Sequence, residues 1–151
     1  MPTAAEKRRT FREMHKSGCF VIPNPWDVGS ARYLQHLGFK ALATTSAGYA
    51  FAVARPDGAV PRDMMLAHIK EMSEAADVPM NADFEEGFAD TPEGVAESVK
   101  ACVATGVAGL SIEDVDDHKL MPMDIALTRF RAARAAVDAT QIFTTSLPPE
   151  W

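Results

Sequence analysis

The chain has 151 residues, 47% hydrophobic and 24% charged, the balance of a folded domain with its own core, which argues against disorder and a membrane span. That length suits one domain and is too short for two. Fifteen basic against 21 acidic residues leave a net charge of −6, so a nucleic-acid surface, which needs a basic excess, is not expected.

Thr3 followed by Glu6 reads as a capping box that opens a charged helix over 4–17, with Gly18 as its stop. FVIP (20–23) reads as a first strand, and Asp27 caps a helix running to Leu37 and ended by Gly38. KALATT (40–45) is a second strand, followed by a long loop over 46–61 and a helix from Arg62 to Ala76. Met65, Ile69, Met72 and Ala76 share one face of that helix at a 3.6-residue period. VPMNAD (78–83) is a third strand, and Thr91-Pro92 starts a helix ended by Gly106, with Val95, Val99, Cys102 and Val103 on one face. VAGLSIE (107–113) is a fourth strand. A polar loop and a helix over 124–138 with Ala126, Phe130, Ala133 and Val137 in phase come next, then a fifth strand, QIFTT (141–145).

Strands alternating with helices in units of about 30 residues indicate βαβ units on a parallel sheet, an α/β fold whose strands are covered on both faces. Cys19 and Cys102 are too few for a zinc site or a disulfide framework, and Cys102 reads as a small core residue. The N-terminus carries charges where a signal peptide needs apolar residues, and its Glu6 and Glu13 are foreign to transit peptides. A cytoplasmic location without membrane association is expected.

In parallel α/β folds ligands bind at the carboxyl ends of the strands. Those positions hold Asn24, Trp26 and Asp27, then Thr44, Thr45 and Ser46, then Asp83, Glu85 and Glu86, and finally Glu113 and Asp114, with Tyr49 and Asp57 in the long loop. Asp27 taken alone reads as a helix cap, and His118 as a solvated loop residue; His15, His36 and His68 offer no partner by spacing. Asp83, Glu85 and Glu113 close two different strands at one end of the sheet, where three carboxylates crowd and repel. A hard divalent cation, magnesium or manganese, relieves that repulsion; the alternative is a set of surface acids.

The segments PNPWD (23–27), GFKALATTSAGYA (38–50), ARPDG (54–58), NADFEEGFAD (81–90) and GVAGLSIED (106–114) resemble the isocitrate lyase/phosphoenolpyruvate mutase superfamily. The resemblance is greatest to its phosphonomutase-like branch, the carboxyvinyl-carboxyphosphonate phosphorylmutase and 2-methylisocitrate lyase-like proteins, and runs from about residue 11 to 138. It implies a (β/α)8 TIM barrel, of which this chain covers roughly the first five βα units as a single domain over 1–151. It also implies Mg2+ (or Mn2+) as cofactor and chemistry that makes or breaks a C–C or P–C bond beside an enolate of a small 2-oxo or 2-hydroxy acid.

Carried over by position, Asp83, Glu85 and Glu113 are the metal carboxylates, directly or through water. Asp57, which matches the family aspartate near the reacting group, is expected to be catalytic together with Tyr49 and His118. Thr45 and Ser46, which match the turn that binds the substrate carboxylate, are expected to bind substrate together with Gly48, Trp26 and Asp27, and Trp26 or Tyr49 to cover the site from water. A homo-oligomer is expected on the same ground.

Two departures qualify the resemblance. Where the family's lyases carry a Lys-(Lys/Arg)-Cys-Gly-His loop, this chain reads VDDHKLMPMD (115–124), which leaves His118 and Lys119 as stand-ins for the missing cysteine. The strand that carries an arginine in relatives reads QIFTTSLPPEW here, and the chain reads as one truncated or frameshifted before the barrel closes. The leading expectation is therefore a magnesium-dependent lyase or phosphonomutase-like enzyme with an incomplete chain. The alternatives are a catalytically dead fragment that acts by association and a receiver-type phosphoacceptor domain. The last lacks its acidic pair after strand one and its lysine after strand five.

Overall fold

A computed structural model describes residues 1–116, 119–137 and 142–145. Helix α1 (Ala4–Met14) opens with the expected capping box: the Thr3 hydroxyl accepts from the Glu6 N–H, and the Glu6 carboxylate accepts from the Thr3 N–H. It ends three residues earlier than the pattern suggests, with His15 as its C-cap, whose ring contacts the Phe11 carbonyl at 2.7 Å. Helices α2 (Val28–His36), α3 (Ser46–Ala52), α4 (Arg62–Ala75), α5 (Pro92–Ala104) and α6 (Met123–Ala136) follow. Strands β1 (Leu42–Ala43), β2 (Met80–Asp83), β3 (Gly109–Ile112) and β6 (Ile142–Thr145) form one parallel sheet, while β4 (Val115–Asp116) and β5 (Lys119–Leu120) pair as a small antiparallel hairpin.

Sheet order β1-β2-β3-β6 follows the chain. Each crossover moves one strand over in the same direction, as a barrel wall does; a doubly wound receiver-type sheet reverses its order. The sequential order removes that alternative.

Three expectations need correction. FVIP (20–23) is not a strand. Pro23 has no N–H to donate, so the segment offers only its carbonyl to Ala43 N–H at 3.1 Å, beside the β1 edge. The long loop over 46–61 begins as helix α3, because the Thr45 hydroxyl accepts from the Gly48 N–H and nucleates a turn directly behind β1. The polar loop after the fourth strand contains the β4–β5 hairpin.

The strands are not apolar on both faces either. Met80 and Ala82 are buried on one side of β2 while Asn81 and Asp83 are half-buried on the other. Asn81 Nδ2 donates to Ser111 Oγ at 3.3 Å across to β3. One face therefore packs under the helices, and the other carries small polar groups that lead to the strand ends.

The helix-covered core joins Leu42, Met80, Ala82, Leu110 and Ile112 of the sheet to the predicted faces of α4 (Met65, Ile69, Met72), α5 (Val95, Val99, Cys102) and α6 (Ala126, Phe130, Ala133). Helix α1 lies at the opposite end of the strands from the acids. There Lys7, 6% exposed, donates to the Ser73 carbonyl at 2.7 Å and to the Ala76 carbonyl, while Arg8 donates to Val103 O (2.8 Å) and Val107 O (3.0 Å). Ser73 and Ala76 end α4, whereas Val103 O, in the last turn of α5, also accepts from the Gly106 N–H and Val107 lies just past that helix; cations there suit the helix dipoles. No helix among the described residues is long and apolar enough to cross a membrane.

The turn after β2 is conformationally costly. Glu85 (φ 44°), Gly87 (φ 92°) and Phe88 (φ 55°) all lie in the left-handed region. A Cβ on Gly87 would stand 3.0 Å from Val95 Cγ1, so only glycine fits there.

Two substitutions test this framework. Lys7→Ala strands two helix-end carbonyls and lowers unfolding stability by about 1–3 kcal/mol in urea titration. Gly87→Ala, which adds both backbone strain and a clash, costs about 1–3 kcal/mol in the same measurement.

Candidate functional site

The end of β2 is tied to the end of β1 through main chain and side chain together. Asp83 N–H donates to Thr44 Oγ1 at 2.9 Å, and Asp83 Oδ2 accepts from the Ser46 N–H at 2.8 Å. Thr44 is 1% exposed, so the junction is held away from water, where such bonds are strong. Because Ser46 opens α3, the carboxylate of Asp83 also sits at the start of that helix.

Around α3 the predicted substrate residues come together. A Cβ on Gly48 would stand 2.5 Å from Thr45 Cγ2 and 3.2 Å from Trp26 Cβ, so Gly48 is required for Trp26, Thr45 and the helix to meet. The Trp26 side chain remains half-exposed. Asp27 serves as N-cap of α2, accepting from Ser30 N–H at 2.6 Å; that bond holds its carboxyl below the usual range.

Tyr49 stacks on His68 of α4, with ring centroids 3.6 Å apart and planes 7° from parallel. His68 is buried, its Nε2 has no hydrogen-bond partner, and burial pushes its pKa down to about 4 against the opposing pull of Asp27. The imidazole is neutral at pH 7.

A second group is acidic. Beyond β2, Phe84 N–H donates to Ser111 O (3.1 Å) and Glu113 N–H to Glu85 O (2.9 Å), which carries the β2–β3 pairing past the strands and sets Glu85 beside Glu113. One carboxylate oxygen of Glu85, Oε1, is buried without a hydrogen-bond partner. Burial pushes the Glu85 pKa up to about 7, assisted by the negative charges of Glu86, Asp83, Asp57 and Glu113. Glu113 is raised as well, by burial and then by Asp83, Asp57, Glu86 and Asp114. Six acids, Asp57, Asp83, Glu85, Glu86, Glu113 and Asp114, thus take part, although Asp57 itself is exposed on its turn.

The donor set, all carboxylate oxygen with one oxygen unpartnered, is that of a hard divalent cation. Among the described residues no three His, Cys, Asp or Glu side chains are grouped to hold an ion directly. Magnesium needs no such cage, because it keeps several waters and is bound through one or two carboxylates.

The two groups of residues meet at the Ser46–Asp83 bond. His118 lies outside the described residues; Lys119 starts β5, and its side chain is exposed at the rim. Two buried polar residues were not singled out from the sequence, His68 and Arg129. Each sits one position from a core-facing residue (Ile69, Phe130) and i+3 from another (Met65, Ala126), so helical phase alone marks both as inward-facing.

The family model for phosphoenolpyruvate phosphomutase matches residues 11–146. An uncharacterized protein of Mycobacterium tuberculosis (strain ATCC 25618 / H37Rv) is 33% identical over 128 residues, covering 83% of this chain and 48% of the relative. Among solved structures, a Burkholderia cenocepacia J2315 protein provisionally assigned as a lyase/mutase superposes with a TM-score of 0.88 at 43% identity, covering 94% of this chain and 54% of that one. The crystal structure of 2,3-dimethylmalate lyase, a PEP mutase/isocitrate lyase superfamily member, gives a TM-score of 0.82 at 29% identity, over 96% of this chain and 52% of that one.

The chain therefore spans about half the length of the relatives it matches. The superfamily comprises lyases and mutases built on a TIM barrel. The family match over nearly the whole chain, the sequential parallel sheet and the acids at its strand ends agree: this chain belongs to the phosphoenolpyruvate phosphomutase family of the PEP mutase/isocitrate lyase superfamily.

Proposed function

We propose that the chain carries the cation-binding and substrate-carboxylate part of a lyase or phosphonomutase-like site, one that cleaves or forms a C–C or P–C bond of a small 2-oxo or 2-hydroxy acid. The observation that carries this reading is Glu85: a half-buried carboxylate with one oxygen buried and unpartnered, acted on by Asp83, Glu86 and Glu113 at the ends of adjacent parallel strands and by Asp57 on the turn between α3 and α4. Such a group is costly unless a cation or a proton neutralises it. The similarity to 2,3-dimethylmalate lyase, an enzyme named for a hydroxy acid substrate, supports the substrate class.

In this reading Asp83, Glu85 and Glu113 hold Mg2+, or Mn2+ in its place, directly or through water. When bound, the ion supplies positive charge where an enolate oxygen develops. The chain's own residues do the rest. Ser46 N–H fixes the Asp83 carboxylate so that its orientation does not change on binding. That N–H is engaged by Asp83, whereas the Thr45 hydroxyl only accepts from the Gly48 N–H; the O–H groups of Thr45 and Ser46 are the donors for a substrate carboxylate. Trp26 and Tyr49 exclude water, and Asp27 holds the start of α2 behind them. Asp57 faces the reacting end, and His118 is the further candidate for moving a proton. A cytoplasmic homo-oligomer remains part of the proposal.

Mn2+ titration of the purified chain at pH 8 tests the reading. Saturable binding to one site is expected, weakened at least about tenfold by Asp83→Ala with the circular dichroism unchanged; no binding by the unaltered chain would overturn it.

The pH dependence follows from Glu85. Its folded pKa of about 7 lies above the ordinary 4.5, so the folded chain binds the proton more tightly than the unfolded chain. Its contribution to stability is present below pH 4.5 and lost as pH rises through 7. Without divalent cation, Glu85→Gln raises stability at pH 8 by about 1–2 kcal/mol once solvent screening of a half-buried group is allowed for, and by much less at pH 5. Urea unfolding at the two pH values checks it. Mn2+ affinity rises between pH 6 and 8 in the unaltered chain, with proton release on binding.

A further inference from the structure

Arg129 lies on α6, only 5% exposed, and among the described residues its side chain donates from Nη2 to the Glu86 main-chain oxygen at 2.9 Å. Among the described residues no carboxylate lies within ion-pair distance of it. A buried guanidinium is expensive to keep without a charged partner, so its placement calls for a role.

The carbonyl it holds lies in the middle of the strained turn. Glu85 and Phe88 adopt positive φ despite their side chains, Gly87 is packed against Val95, and Glu85 O is fixed from the other side by Glu113 N–H at 2.9 Å. Non-glycine residues in that region cost of order 1–3 kcal/mol each and persist only where surrounding contacts over-determine them. Val95 and the Glu113 N–H are two such contacts, and Arg129 is the third, the only one of the three that is charged and the only one delivered by α6.

We infer that Arg129 is the positioning residue of the acidic turn: by holding the Glu86 carbonyl from α6, it keeps the strained backbone that presents the Glu85 carboxylate beside Asp83 and Glu113. It touches no reacting group and acts through the turn. The effect on cation binding rests on the reading of the acids as a cation site; the effect on the turn does not.

The test uses the full chain with Arg129→Met and Arg129→Lys, and reads two quantities. The first is hydrogen exchange of the Glu113 N–H without divalent cation, which reports the turn itself. The second is Mn2+ affinity at pH 8. Arg129→Met is expected to speed exchange at Glu113 by about tenfold or more relative to amides within α4, and to weaken Mn2+ binding by about tenfold. Arg129→Lys, which keeps the charge and one donor, is expected to recover to within about threefold of the original chain in both.

Unchanged Glu113 exchange in a folded Arg129→Met chain overturns the inference. If that variant does not fold, Arg129→Gln, which removes the charge and keeps a shorter donor, decides: exchange at Glu113 faster than in both the original chain and Arg129→Lys supports the inference, and protection equal to the original chain's overturns it. If the original chain binds no Mn2+ while Arg129→Met still frees the Glu113 N–H, the cation reading fails and the positioning role stands.

Discussion

Like-charge repulsion among carboxylates at one end of the sheet is the constraint around which this structure is arranged. Parallel strands in a sequential sheet bring their carboxyl ends to one rim, so an acid after β2 and an acid after β3 become neighbours whether or not that is favourable. Here the neighbours are Glu85 and Glu113, joined by a main-chain hydrogen bond, with Asp83, Glu86 and Asp57 close enough to raise their proton affinities. A fold selected for stability alone would place apolar or neutral residues at these positions, and a concentration of unfavourable electrostatics of this kind is what makes this rim the candidate site.

The rest of the architecture holds that concentration in place. Ser46 N–H fixes Asp83, and the Glu113 N–H and Arg129 bond the successive carbonyls of Glu85 and Glu86 just ahead of Gly87. At the far end of the strands, Lys7 of α1 satisfies carbonyls that end α4, and Arg8 bonds Val103 O in the last turn of α5 and Val107 O beyond it. Lys7 and Arg8 thereby sit at helix C-termini, where the dipole favours cations, away from the carboxylates beyond β2 and β3. Tyr49 and His68 connect the site to the core by a stacked pair, the histidine held neutral by its burial.

Much of this was legible in the chain before any coordinates. The helix faces of α4, α5 and α6 follow the apolar period residue by residue, and the caps at Thr3, Asp27 and Thr91 are where the side-chain chemistry puts them. The errors have local causes. FVIP has strand composition, but Pro23 removes a ladder donor; α3 is too short to show a period and is announced only by its Thr45 cap. The polar loop after β3 folds back on itself through a two-residue pairing that carries no pattern of its own.

By itself the sequence determined the alternation of strands and helices, the buried faces and the identity of the acids that follow each strand, because periodicity, capping and strand-end position are properties of neighbouring residues. Only the tertiary structure decided that Ser46 N–H belongs to Asp83, that Tyr49 rests on His68, that one oxygen of Glu85 is buried without a partner and that Arg129 reaches the turn from α6. Those pairs are separated by 37, 19 and 43 positions where two residues are involved. Nothing in local sequence encodes such a contact, which arises only when the strands have been laid side by side and the helices packed against them.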